Sequence, residues 1–334
     1  MSQSSSLKNH FLTALKIFIA FGIIYWMIES GMLNFSSLKN MLNPGPFILG
    51  FALLGSSFFF VTLRWKILLE TQNTHAKTWP LVKLTLIGTF FNFAVPGGVG
   101  GDLVKAFYFY KDQNSSKALA VSSIAVDRLL GLYTMILMAI SVMIYDFQHI
   151  KTTTVLYKLF IVFCFIFIGF TTVLYLLFTK NPFLQKKIQQ LLNFLPKKEK
   201  FQKLYTSTQL YGHSPGRLLQ VMWYSLLAQV STIFFLVLAG EVSGLAETSW
   251  STYFLVAPLG FMATAVPISP AGIGVGQAAF YFLFNNYLGY KSELGPTITT
   301  AMQIFQLMFG LIGAYFYIQR KDKSVTSVTN DSLV

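Results

Sequence analysis

The sequence predicts an all-α polytopic membrane protein with six full transmembrane helices plus two re-entrant helical hairpins, arranged as an inverted repeat. Three observations predict it. Of 334 residues 54% are hydrophobic and only 11% charged, with a mean hydropathy of +0.57, a balance found in chains made of repeated long apolar runs. Two apolar segments are interrupted by glycine and proline: Pro96-Gly97-Gly98-Val99-Gly100-Gly101-Asp102 breaks the first, and Pro267 to Gly276 the second. The basic residues, finally, gather on one side of the six-span threading set out below.

The first span is expected at 11–29, after Lys8. It resembles a signal peptide in position, but Glu29-Ser30-Gly31 provides no small-x-small cleavage site, so it reads as an uncleaved helix. A second span is expected at 46–64. Next comes the first broken segment, whose arms Leu81 to Val95 and Leu103 to Tyr110 have 15 and 8 residues. Crossing hydrocarbon takes about 20 residues, so these arms predict a hairpin. Backbone groups freed at its tip need protein or a wet cavity to receive them. Full spans follow at 118–145 and 154–178.

Between the fourth and fifth spans lie Lys180, Lys186, Lys187, Lys197, Lys198, Lys200, Lys203 and Arg217, opposed only by Glu199. Such a stretch is expected in the cytoplasm. Phe183, Leu184, Ile188, Leu191, Leu192 and Leu195 recur within it at helical spacing, predicting an amphipathic helix on the inner leaflet. Working outward, the six-span threading also places Lys8, an Arg64-Lys66-Lys77 loop, Lys111, Lys117 and the Arg320-Lys321-Lys323 tail inside. Lys39, Lys151 and Lys291 fall outside. Both termini are therefore expected to be cytoplasmic. A fifth span at 218–240, the second hairpin (arms Tyr253 to Val266 and Gln277 to Tyr287) and a sixth span at 296–318 complete the threading. Residues 1–320 form one integral membrane domain; 321–334, rich in Ser, Thr, Asn and Asp, read as a disordered tail.

In this threading the second span runs inward and is followed by a hairpin entering from the cytoplasm and a full span. The fifth runs outward and is followed by a hairpin entering from outside and a full span. Inverted repeats of this kind place a transporter's substrate site between the two broken segments near the midplane.

Candidate site residues follow from that geometry. Gly97, Gly98, Gly100 and Gly101 permit positive φ and close backbone approach, and a helix N-terminus beside them offers free amides to an anion such as phosphate. Gly272 and Gly274 repeat the theme. Asp102, opening the returning arm, reads either as an N-cap or as a charged contact within the cavity. Asp127 and Arg128 sit about 13 Å into the third span. Being adjacent they point about 100° apart, so Arg128 either grips a phosphate or pairs with Asp102 or Glu70. Lys105 either guides a headgroup or, more simply, snorkels to the cytoplasmic interface. Gln277, Gln229 and Gln303 are polar within apolar helices, the last two reading as packing contacts.

Several function classes are excluded. The net charge of +13 is spent on topology, not nucleic acid; Cys164 stands alone, so no disulfide framework exists; and no Ser-His-Asp, Walker or metal-ligand pattern occurs. Neither a cofactor nor enzymatic activity is expected.

Three motifs in order, Asn92 with Pro96 to Asp102, Lys117-Ala118 leading to Asp127-Arg128-Leu129-Leu130-Gly131-Leu132, and Pro267-Ile268-Ser269-Pro270-Ala271-Gly272-Ile273-Gly274-Val275, resemble the transmembrane region of lysylphosphatidylglycerol synthases, a flippase-like family with stand-alone members. The resemblance spans residues 10 to 320. It implies the movement or handling of polar lipids, with Asp102 and Arg128 as substrate contacts and Asn92, Pro267 and Ser269 in the site. The family often has Glu where this chain has Gln277, and Glu before the arginine where it has Asp127. Without the soluble aminoacyl-transferase domain of the bifunctional synthases, the chain is expected not to make lysyl-lipid itself.

The resulting expectation is an inner-membrane flippase-like transporter of a phospholipid or a polyprenyl-phosphate-linked lipid. The alternatives are a secondary transporter of a small organic anion and a membrane-embedded lipid-modifying transferase using Asp102 or Asp127 as base. Candidate partners are lipids with a phosphate-bearing headgroup, a second copy of the chain, and a separate lipid-modifying enzyme.

Overall fold

The computed structural model describes residues 25, 39–94, 100–113, 115–194, 198–245, 248–265 and 269–320. Regular structure among them is helical throughout. In chain order the α-helices are α1 (Pro44–Thr71), α2 (Thr78–Ala94), α3 (Gly100–Gln113), α4 (Lys117–Tyr145), α5 (Phe147–Thr152), α6 (Thr154–Phe178), α7 (Pro182–Leu192), α8 (Lys198–Gly212), α9 (Pro215–Ser243), α10 (Trp250–Thr264), α11 (Val275–Leu288) and α12 (Leu294–Ile318).

Helices α1, α4, α6, α9 and α12 are long and apolar enough to cross a membrane. They coincide with five of the six spans predicted from the sequence. The span expected at 11–29 and the tail at 321–334 lie outside the described residues. Local chemistry sets several ends. Proline opens α1 and α9, where its missing N–H would have no partner anyway, and the Ser116 hydroxyl caps α4 by accepting from the Leu119 N–H at 3.1 Å. Gly244, at φ +71°, ends α9 in the left-handed conformation that glycine adopts without penalty.

Each broken segment forms a pair of shorter helices. The first pair, α2 and α3, has 17 and 14 residues, and the second, α10 and α11, has 15 and 14. At 1.5 Å per residue each arm is about 21–26 Å long, short of a full crossing. The α3 arm is longer than the eight residues expected, because Gly100, Gly101 and the polar Lys111 to Gln113 all join the helix.

Packing relates the two halves reciprocally. The helices that open them, α1 and α9, lie along one another. The helix that closes the second half, α12, packs on α2, while the helix that closes the first half, α4, packs on α10. Aromatic rings fill the seam: Phe51 stacks on Phe309 with centroids 4.2 Å apart, and Phe47 meets Phe305 at 5.3 Å. Where α12 crosses α2, a Cβ on Gly313 would lie 2.0 Å from the Leu86 carbonyl oxygen, so this crossing requires a residue without a side chain.

The basic stretch differs from expectation in one respect. Its first part is the amphipathic helix α7, with no buried residue and with Phe183 and Leu191 exposed. Its second part is not a connector but α8, docked on α4 and α6 through buried Tyr205, Thr208 and Tyr211. Tyr211 accepts a hydrogen bond from Gln72, whose amide also donates to Ser122 at 3.1 Å, and burial pushes the Tyr211 phenol pKa up. Sequence periodicity missed α8 because polar residues outnumber its apolar contacts.

Candidate functional site

Helices from both halves enclose a cavity of about 460 Å³, walled by α1 to α4 on one side and by α9, α10, α12 and the Pro270–Gly272 turn on the other. Arg64, Asp102, Lys105, Asp127 and Arg128 all line it.

The deepest contact is one that the sequence reading misplaced. Arg64 was expected in a cytoplasmic loop, but α1 continues to Thr71 and carries it into the protein interior. The resumption of apolar residues at Ile67-Leu68-Leu69 after Lys66 was the available signal for the longer helix. Arg64 grips Asp127 of α4 with both prongs, Nε to Oδ1 at 2.7 Å and Nη2 to Oδ2 at 2.8 Å, while Nη1 donates to Ser225 Oγ of α9 at 3.0 Å. Such a bidentate pair fixes orientation as well as charge. Gly131, one helical turn beyond Asp127, makes the room: a Cβ there would lie 2.8 Å from Arg64 Nη1. Its carbonyl accepts from Gln229 Nε2 at 3.3 Å. Since a carbonyl can only accept, that bond orients the amide and leaves Gln229 Oε1 buried without a partner among the described residues.

A second ion pair lies nearer solvent. Arg128 Nε donates to Asp102 Oδ2 at 2.5 Å, and the two side chains are 47% and 21% exposed. Of the two partners weighed for Arg128, the structure therefore brings Asp102; Glu70 instead sits 3.7 Å from Lys66 on the same helix. Asp102 is placed by the close approach of α2 and α3. A Cβ on Gly101 would lie 2.0 Å from the Gly88 carbonyl oxygen, and the Gly101 N–H donates to Asn92 Oδ1 at 3.0 Å, tying the arms together beside the break.

Lys105, one turn past Asp102, does not snorkel. It is only 5% exposed, and its ammonium lies 3.9 Å from the ring centroid of fully buried Trp65. The correction has a simple cause. α3 packs on α2 and α4, which brings Phe109 and Lys105 to the Trp65 ring of α1, and the indole face offers a cation a favourable partner inside the protein.

The second half is built from amides. Ala271, Gly272 and Gly274 have φ of +49°, +71° and +83° on either side of an extended Ile273, and these turns make the break. Gln277 holds it: Oε1 accepts from the Gly274 N–H at 2.8 Å, and Nε2 donates to Gln303 Oε1 at 2.6 Å and Thr300 Oγ1 at 3.2 Å. At 1% exposure Gln277 faces these partners and not the cavity. Gly100, Gly101, Ser269, Gly272 and Gly274 do not line the cavity either, whereas Asn92, Asp102, Lys105, Asp127 and Arg128 do. Ala271 and Gln303 contribute the second half's surface instead, and the Pro270–Gly272 turn packs on α2. Gly97, Gly98 and Pro267 lie outside the described residues.

Long apolar helices in two reciprocally packed sets, closed around a charged cavity, define a multi-pass helical membrane protein with an internal polar site. The chain belongs to the family of lysylphosphatidylglycerol synthase transmembrane regions, whose model matches residues 13–314. Membership ties it to membrane lipids. No curated protein matches the chain in sequence.

Proposed function

We propose that the chain is a flippase-like carrier that moves a phosphate-bearing lipid, either a phospholipid or a polyprenyl-phosphate-linked lipid, between the leaflets of the inner membrane. In this reading α1 to α4 and α9 to α12 are inverted repeats, the α2/α3 and α10/α11 pairs are re-entrant hairpins entering from opposite faces, and both termini are cytoplasmic. The chain works as a carrier, not as an enzyme. Matching arm lengths and the reciprocal packing of α12 on α2 and α4 on α10 support the repeat.

The observation that carries the reading is the cavity, large enough for a headgroup and lined by five ionisable side chains drawn from three apolar-flanked helices. Taking a phosphate through hydrocarbon is prohibitive unless hydrogen bonds and counter-charges replace its water. The half-exposed Arg128 is placed to meet the headgroup while Arg64, locked on Asp127, holds α1, α4 and α9 around it. A lipid is favoured over a soluble anion because α4 and α9 also wall an apolar groove of about 680 Å³, through Leu137, Met138, Trp223 and Leu226. The groove's inner end, at Met138 and Leu226, lies within a turn of Met135 and Ala228, which line the polar cavity, so acyl chains have an apolar surface that begins beside the headgroup site.

Reconstitution into liposomes with a labelled phospholipid tests the proposal. Arg128→Ala is expected to slow flipping about tenfold or more, with little change in melting temperature, since an ion pair this exposed contributes about 0–1 kcal/mol. Restored flipping in an Asp102→Leu/Arg128→Met double variant would show that the pair is scaffold only.

A further inference from the structure

The cavity's ionisable side chains are not balanced. Among the described residues that line it, three are cationic and two are carboxylates. Arg64 is held by Asp127 and Arg128 by Asp102, so each of those units is close to neutral as a pair. Lys105 is left over. Among the described residues Lys105 makes no ion pair and no hydrogen bond; its ammonium faces the Trp65 ring. An aromatic face is a weak partner for a buried ammonium, which has three donors to satisfy. Lys105 lines the cavity, so the partner that its ammonium lacks can come from a ligand.

We infer that Lys105 is the counter-charge for one negative charge on the ligand, which makes the cavity selective for a phosphate-type monoanion over a zwitterion. The inference rests on this cavity being the substrate site, and it specifies the ligand's charge. A phosphodiester oxygen on Lys105 satisfies the ammonium and brings the cavity close to neutrality. A zwitterionic headgroup brings its own cation and leaves Lys105's excess charge uncancelled. Arg128 can still donate to the phosphate without altering this count, because Asp102 already neutralises it. The Trp65 indole N–H donates to Ser123 Oγ at 3.2 Å, which fixes the ring beside the ammonium.

The test uses the full chain purified in detergent, with ligand-induced thermal shifts titrated for three probes: dihexanoyl phosphatidylglycerol, dihexanoyl phosphatidylcholine and inorganic phosphate. The unsubstituted protein is expected to half-saturate with the phosphatidylglycerol at a concentration about tenfold or more below that for the phosphatidylcholine. Lys105→Met should erase that preference, raising half-saturation for the phosphatidylglycerol about tenfold or more, and Lys105→Arg should restore most of it. Unliganded Lys105→Met should melt at or above the temperature of the unsubstituted protein, because a buried cation without a full partner has been removed. Saturation by inorganic phosphate that also depends on Lys105 would identify a free anion as the ligand, and saturation by the lipid alone a headgroup; both keep the monoanion site. The inference is overturned if Lys105→Met binds the phosphatidylglycerol within about twofold of the unsubstituted protein. It is equally overturned if the zwitterion binds as tightly as the monoanion, or if the variant melts several degrees lower and Lys105→Arg rescues nothing. Flipping by a chain that lacks the Lys105 preference would sink this inference and leave the carrier reading standing. Lys105-dependent binding without flipping would do the reverse.

Discussion

Around α2 and α3 the cavity is lined by charges, with Asp102 and Lys105 facing Arg64, Asp127 and Arg128, whereas the wall from α9 to α12 presents only neutral groups such as Gln229, Ala271 and Gln303 among its described residues. The two halves match in helix lengths and in how they pack, so the difference lies in chemistry and not in scaffold. Each half also stiffens its break differently. The first brings two backbones together at Gly88 and Gly101, and the second ties its turn with the Gln277 side chain. Near-equivalent frames can thus be divided into a half that handles charge and a half that shapes and supports.

The comparison is broken most severely by removing Asp127. Asp127→Ala leaves the Arg64 guanidinium buried without its carboxylate, and the expected loss is about 3–5 kcal/mol, measured by denaturant titration in detergent. Replacing the pair together, as Arg64→Met with Asp127→Leu, should recover most of that stability. No single amide in the second half should match it. A loss under about 1 kcal/mol for Asp127→Ala would mean that water reaches Arg64 and that the ionic half is not dry.

A smaller effect separates the two ways of holding a broken helix. Gly101→Ala pushes Cβ against the Gly88 carbonyl oxygen, a backbone atom that cannot turn aside, and forces α2 and α3 apart. Gly260→Ala meets the Phe280 ring at 2.2 Å, and a ring can rotate or tilt. Overpacking generally amounts to about 1–3 kcal/mol, and Gly101→Ala is expected at the upper end with Gly260→Ala below it. Because Gly101 positions Asp102, its variant should also weaken binding to the cavity, which Gly260→Ala should not.

Much of this arrangement was legible in the sequence because the signals were long or rare. Five described helices match predicted spans, as their apolar runs exceed what any soluble helix needs, and the two broken pairs were marked by clusters of glycine with proline. Asp102, Lys105, Asp127 and Arg128 stood out as charges within apolar context, and all four line the cavity. What the sequence hid was partnership. Arg64 looked like the end of a span because Lys66 and Glu70 follow it closely, and only the fold shows Lys66 and Glu70 facing one another while Arg64 turns inward. Lys105 looked like a snorkelling residue because its partner Trp65 is 40 positions away. Gln277 stood among the candidate site residues as a polar group within an apolar helix, although its three hydrogen bonds fall to its own neighbourhood.

The mildest test concerns whether the neutral half takes any part in handling the ligand. Gln303 accepts from Gln277 at 2.6 Å and donates to the Ala271 carbonyl at 3.5 Å, while one side of it lines the cavity. Gln303→Met conserves volume and removes both bonds. Gln277 keeps Thr300 and the Gly274 N–H, so its amide is not stranded and the expected loss is about 1 kcal/mol. Flipping should stay within about twofold of the unsubstituted protein, because Met302 and Ala271 beside it already make that wall partly apolar and no charge has changed. The contrast with Arg128→Ala is the informative quantity. If Gln303→Met slows flipping as strongly as Arg128→Ala while its melting temperature barely moves, the amide wall is touching the headgroup, and the division between a charge-handling half and a supporting half fails. If stability falls and flipping does not, the second break is an internal tie whose role is to keep Ala271 against α2.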